Sequence, residues 1–178
     1  VASTKAFATQ VAALYWLSYR IAVEKKICSF TDLIQAEQAL IQAAAVLEQT
    51  MHEQDAYVRR IAQQLSVAGK AIFLGRHISY PFAQEAALKL KEISYIFAQA
   101  YPAGELKHGP IALIERETPV FIFSVCDELI YTKLVSNVQE VKARGGYIIA
   151  FAFEWQHELI TLADQVLIFP RVEPLLAP

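Results

Sequence analysis

Hydrophobic residues follow two different patterns along the chain, and the change comes near residue 67. Up to that point they recur at helical spacing, which predicts an all-helical segment, 1–66. Three helices are expected in it: one over residues 1–26 with Ser3 or Thr4 as N-cap, one capped by Thr31 or Asp32 and running to about Thr50, and one over residues 53–65. The remainder, 67–178, has the pattern of a separate domain.

Short apolar runs alternate with amphipathic helices in this second domain. The runs cover residues 71–74, 119–124, 147–151 and 165–169, and the helices between them cover residues 81–95 and 128–144. Gly145 and Gly146 close the second of these helices. Because the runs are continuous rather than alternating, we expect parallel strands covered on both faces. The sequence therefore predicts an α/β fold with a doubly wound parallel sheet.

The segment 6–23 is apolar around most of its circumference, which leaves two interpretations. A membrane span is one, but the segment contains Arg20, and an arginine in a bilayer costs roughly 2.5 kcal/mol or more. A helix buried inside a larger protein is the other, and it is favoured. Since the helix begins almost at residue 1, we expect the chain to be a fragment with neither a membrane partner nor a secretory signal.

Charge and composition exclude several further classes. The formal net charge is −2 and no basic block is interleaved with aromatic residues, so we expect no nucleic-acid partner. Cys28 and Cys126 lie far apart without CxxC spacing, which favours a reducing, cytoplasmic compartment. The four histidines are scattered without helical ligand spacing, and we expect neither a metal nor a cofactor.

The first candidate catalytic residues lie on the helix that follows the first apolar run. At about 100° per residue, Glu85, Lys89 and Glu92 fall within an arc of roughly 60°, whereas Lys91 points elsewhere. Two carboxylates beside an amine suit proton transfer next to a carbonyl group. The alternative is an exposed stripe of ion pairs without a catalytic role.

A second candidate is the loop 100–110, AYPAGELKHGP, which is dense in glycine, proline and charged residues. His108 in this loop has a side chain whose ordinary pKa is close to neutrality, so it is a possible acid or base. A structural role for this histidine is equally open from the loop alone.

Residues 75–114, GRHISYPFAQEAALKLKEISYIFAQAYPAGELKHGPIALI, resemble the second sugar-isomerase (SIS) lobe of the glutamine–fructose-6-phosphate aminotransferase family. The segments VASTKAF (1–7), EVKARGG (140–146) and VEPLLAP (172–178) resemble the same family. The resemblance implies the SIS fold, a three-layer parallel sheet with flavodoxin-like strand order, preceded by the helical segment.

The resemblance also implies a role for each candidate residue. Glu92 matches the base that moves a proton between C1 and C2 of the sugar, supported by Lys89 and Glu85. His108 matches the ring-opening histidine, which reaches the site of the partner subunit in a homodimer. Val1 and Ser3 match a strip that lines the sugar pocket. The implied ligand is a phosphorylated sugar, fructose 6-phosphate or glucosamine 6-phosphate.

Departures from the family pattern matter as well. The family's phosphate cradle and first SIS lobe, its glutaminase domain with an N-terminal cysteine, and its tail lysine are expected outside residues 1–178, so we expect the chain alone to be inactive. His77 stands where relatives usually have glycine, and Phe97 and Gln99 replace a histidine and a glutamate. Two alternatives stay open: a stand-alone SIS module that binds a phosphosugar as a sensor or assembly subunit, and another SIS sugar-phosphate isomerase or deaminase.

Overall fold

The computed structural model describes residues 3–170 and residue 176, and Val1 lies outside this part. The helices are α1 (Thr4–Glu24), α2 (Phe30–Leu65), α3 (Ser79–Ser94), α4 (Glu128–Ala143) and α5 (His157–Leu162), with two 3₁₀ helices, η1 (Ala103–His108) and η2 (Pro110–Leu113). The strands are β1 (Lys70–Gly75), β2 (Phe97–Pro102), β3 (Pro119–Phe123), β4 (Tyr147–Phe153) and β5 (Gln165–Phe169). Contacts divide the described residues into two compact units, 3–53 and 54–170, and the division falls inside α2.

The first unit confirms an all-helical start but corrects the predicted caps. Ser3 precedes α1 and makes no side-chain cap hydrogen bond. The second helix is capped by Ser29 rather than by Thr31 or Asp32, which lie inside it. The Ser29 hydroxyl accepts from the Asp32 backbone N–H at 3.2 Å, and the Asp32 carboxylate accepts from the Ser29 backbone N–H at 2.7 Å. This is a reciprocal cap, and the hydrogen bonds from Ser29 lower the pKa of Asp32.

The predicted break near Thr50 is wrong, because α2 is one continuous helix of 36 residues. It contains neither glycine nor proline, so no residue in it interrupts the backbone hydrogen bonds. Within the described part of the chain, no helix combines the length and the apolar composition needed to cross a membrane.

Five parallel strands form one sheet in the order β2-β1-β3-β4-β5. This order confirms the predicted doubly wound, flavodoxin-like topology. Four strands match the predicted apolar runs, but β2 was not predicted, and its last residues, 100–102, belong to the segment that the sequence pattern indicates as a loop. The strand is at the edge, where Phe97 is exposed while Ala98 and Ala100 are buried. The polar Gln99 stands between these two alanines, so the continuous apolar run is missing.

Alternate strand residues point to opposite faces of the sheet. On the α4 face, Ile72 and Ile122 pack with residues of α4, α5 and η1. On the α3 face, Phe73 and Phe123 pack with residues of α3, and Ile149 packs with the end of α2. Because helices cover both faces, the inner strands read as unbroken apolar runs in the sequence.

Candidate functional site

The carboxyl end of β1 is joined to α3 by a tight turn with a buried serine. Ser79 is 1% exposed, and its hydroxyl accepts from the Arg76 backbone N–H and donates to the Phe123 carbonyl, both at 2.9 Å. A Cβ on Gly75 would lie 2.5 Å from the Ser79 carbonyl oxygen, so only glycine allows this approach. The turn thereby fixes where α3 starts, beside the ends of β1 and β3, which is where ligands bind in parallel sheets.

The structure brings Glu85, Lys89 and Glu92 together on one face of α3, as their spacing predicted. The Lys89 Nζ donates to Glu92 Oε2 at 2.7 Å and lies 3.7 Å from Glu85 Oε1. The exposed fractions of the three side chains differ: 15% for Lys89, 22% for Glu85 and 43% for Glu92. Glu92 is therefore the carboxylate most accessible to a ligand, while Lys89 lies between the two acids.

Electrostatics favour the charged form of Lys89. The hydrogen bond to Glu92 is the main cause that raises the pKa of Lys89 above its ordinary value of 10.5, and the charges of Glu92 and Glu85 add to it against an opposing effect of burial. At neutral pH Lys89 is consequently an ammonium ion and not a base. A cation in this position can stabilise negative charge that develops on a ligand oxygen.

His108 lies at the end of η1, which packs on the α4 face of the sheet. Ala103 and Leu106 are fully buried and anchor η1 in the core, while Lys107 and His108 are exposed. Within the described residues, the His108 side chain makes no hydrogen bond or ion pair, with Lys89 or with any other residue. The structure thus leaves His108 apart from the acids of α3, which packs on the opposite face.

The two remaining candidates belong to the start of the chain. Ser3 is exposed, and its carbonyl accepts from the Ala6 backbone N–H at 3.1 Å. Val1 lies outside the described residues, so its predicted contact with a sugar stays a prediction. The same holds for the role of Ser3.

Sequence reasoning missed Arg76, which reaches from the end of β1 to α4. Its Nη1 donates to Asn137 Oδ1 at 3.0 Å, and Asn137 is only 7% exposed. The two residues are 61 positions apart, so no local pattern links them. The single signal in the sequence was the position of Arg76, directly after a glycine at the end of a strand.

The described part of the chain holds no cluster of three or more histidine, cysteine or acidic side chains that could bind a metal ion. A surface cleft of about 400 Å³ lies at the opposite end of the sheet, at the start of β3 and β4. Its charged walls include Lys142 and Asp164, which form an ion pair of 2.6 Å. The cleft is therefore separate from the carboxyl ends of the strands and from the acids of α3.

Comparison with known proteins assigns the chain a family. The family model described as SIS domain matches residues 64–176. The chain is 43% identical over 178 residues to glutamine–fructose-6-phosphate aminotransferase (isomerizing) of Thermus thermophilus, and 42% identical over 182 aligned positions to the protein of that name from Chlamydia muridarum. Each alignment covers 100% of this chain but 29% of the relative, so the chain spans less than a third of these proteins.

A solved structure agrees with these sequence relatives. The C-terminal domain of glucosamine-fructose-6-phosphate aminotransferase from Francisella tularensis superposes with a TM-score of 0.91 at 40% identity. The superposition covers 100% of this chain and 50% of that domain.

Proposed function

The chain belongs to the SIS domain family, and we propose that it is the second lobe of the isomerase region of a glutamine–fructose-6-phosphate aminotransferase. The identity of 43% over its whole length to an enzyme of that name supports this assignment. So does the TM-score of 0.91 with the C-terminal domain from Francisella tularensis. The main observation in support of the catalytic roles is the Lys89 ammonium, which lies between Glu85 and Glu92 on α3.

The proposed reaction converts fructose 6-phosphate, with nitrogen from glutamine, into glucosamine 6-phosphate. Glu92 takes a proton from C1 of the opened sugar and returns it to C2. It suits this step because it is a carboxylate that a ligand can reach from solvent. Lys89 stabilises the negative charge that develops on the adjacent oxygen as the proton leaves. Glu85 holds Lys89 in place from the other side.

Ring opening is assigned to His108, whose imidazole is exposed and free of partners within the described residues. In this proposal it serves the neighbouring subunit of a homodimer. Ser3 and Val1 line the sugar pocket. The first SIS lobe and the glutaminase domain supply the phosphate cradle and the ammonia, and the enzyme works in the cytoplasm.

The assignment is tested in the complete parent protein with Glu92→Gln, which keeps the size of the side chain but removes the ionisable group. We expect exchange of the C1/C2 proton with solvent to fall by about 10²–10⁴-fold, the usual contribution of a general base. Glutamine hydrolysis should be spared, because it takes place in another domain.

Glu128→Gln, at an exposed glutamate on α4, is the matched control and should leave proton exchange unchanged. A loss of less than about tenfold for Glu92→Gln would remove Glu92 from the proposed role, given the size of general-base effects.

A further inference from the structure

The side chain of Arg76 connects the carboxyl end of β1 to helix α4. Its backbone follows β1 directly, and its guanidinium reaches α4, where Nη1 donates to the buried Asn137 Oδ1 at 3.0 Å. A hydrogen bond from a charged donor to a buried side chain is stronger than a neutral one, so this contact holds the guanidinium in one place.

Gly104, in the first turn of η1, lies directly against this guanidinium. A Cβ at Gly104 would come within 2.9 Å of Arg76 Nη1, 3.4 Å of Cζ and 3.5 Å of Nη2. The guanidinium therefore occupies the space that a side chain at position 104 would need. A side chain at position 104 would displace the guanidinium or push η1 away from α4.

The first turn of η1 sets the direction of the residues that follow it. Ala103 and Leu106 are fully buried and hold the inner side of η1 on the core, but neither of them fixes the side that faces Arg76. The contact between Arg76 and Gly104 supplies a further fixed point in the first turn of η1. Together they determine where the exposed end of η1, with His108, is presented.

We propose that Arg76, held by Asn137 and seated on Gly104, is a positioning residue that fixes the orientation of η1 and thereby of His108. Its effect on catalysis rests on the proposed function, whereas its effect on η1 does not. A catalytic group misplaced by about 1 Å can lower the rate by about 10²-fold, so the contacts that fix this turn matter for catalysis.

Hydrogen exchange in the 178-residue chain tests the structural part of the proposal. In Arg76→Ala, we expect amides 104–108 to exchange at least about tenfold faster. The local opening that exposes these amides to solvent would no longer have to break the contacts of Arg76. Amides of β4 should change less than twofold, since they lie in the core. Arg116→Ala, at an arginine whose side chain is 91% exposed, is the matched control and should change neither set.

Two further variants keep the test decisive if Arg76→Ala does not fold. Gly104→Ala keeps the arginine but places a Cβ 2.9 Å from its Nη1, and it should also accelerate exchange at amides 104–108. Asn137→Leu removes the acceptor and should do the same, whereas Asn137→Asp keeps an acceptor and should preserve protection. Protection at amides 104–108 that survives Gly104→Ala and Asn137→Leu would overturn the proposal.

Kinetics of the complete parent protein test the consequence for catalysis. Arg76→Ala should lower kcat for isomerisation by about 10–100-fold, with KM for the sugar phosphate changed less than threefold. A raised KM with unchanged kcat would show that the guanidinium binds substrate, and would overturn the positioning role. The exchange measurement needs no enzymatic activity, so it still tests the positioning of η1 if the proposed function is wrong.

Discussion

Lys89 lies between two carboxylates, and this placement keeps it charged to a higher pH than its ordinary pKa of 10.5 would allow. The Glu92 hydrogen bond is the main cause of its raised pKa. For a lysine whose folded-state pKa is raised above 10.5, the ion pair contributes its full stabilisation below that pH and loses it as pH rises through the folded-state value. Neutral pH therefore leaves the ion pairs of Lys89 intact.

We predict that Lys89 titrates above 10.5, and that Glu92→Gln lowers its midpoint more than Glu85→Gln does. The reason is that Glu92 accepts the hydrogen bond at 2.7 Å, whereas Glu85 lies at 3.7 Å. The midpoints are measured from the lysine side-chain carbon resonances by NMR. Equal midpoints in Glu92→Gln and the unchanged protein would contradict the described ion pair.

The sequence predicted the Glu85–Lys89–Glu92 face because helical periodicity alone determines which residues share a face. It could not predict the bond between Arg76 and Asn137, which depends on how α4 packs against the end of β1. The backbone conformation at His77 was predictable in part, through the family resemblance. His77 adopts the left-handed conformation, with φ +56°, at a position where the family resemblance implied glycine.

Among the elements, the turn from β1 to α3 has the strictest steric requirement. Gly75→Ala would place a Cβ 2.5 Å from a backbone oxygen, so we predict destabilisation by about 3 kcal/mol or more, at the upper end of overpacking effects. Gly69→Ala is the control, because its Cβ would meet nothing within 4 Å. Urea unfolding of both variants measures the difference, and equal stabilities would show that the turn is not as close as described.

Strand prediction succeeded where the sequence has an unbroken apolar run. The runs that form β1, β3 and β4 are unbroken because helices cover both faces of these inner strands. The edge strand β5 was recognised because residues 166–169 are all apolar, although Ile168 is 39% exposed. The edge strand β2 was missed, since the polar, half-buried Gln99 interrupts its apolar run. The end of a helix predicted at about Thr50 was also wrong, because α2 continues through Thr50, which is buried.

In the whole molecule, the unit 3–53 exposes apolar side chains that normally require a cover. Leu14, Leu17 and Ile21 of α1 lie at helical spacing on one face and are 67%, 44% and 46% exposed. Large exposed apolar patches mark interfaces. We therefore predict that the 178-residue chain self-associates through this face at tens of micromolar (about the range of a weak interface).

Light scattering of Leu14→Glu tests this prediction, because a charge in the centre of the face should shift the chain toward monomer. Thr9→Glu is the control, since Thr9 lies on another side of α1 at about 100° per residue. If the unsubstituted chain is a monomer while circular dichroism shows that α1 is folded, the predicted self-association is contradicted.

The arrangement of the molecule also bears on how a complete site is formed. The acids of α3 belong to one face of the sheet, while η1 is anchored on the other. His108 finds no polar partner among the described residues of its own chain. This placement agrees with the proposal that Glu92 and His108 of different subunits act in one site.

Subunit mixing tests this central claim most directly. Parent protein carrying His108→Ala is mixed with parent protein carrying Glu92→Gln, and isomerisation is measured after subunit exchange has been verified. Random exchange makes about half of the dimers heterodimers, each with one site in which both residues are intact, so about a quarter of the unchanged enzyme's activity should return. If no activity returns after verified exchange, Glu92 and His108 do not form a site shared between subunits.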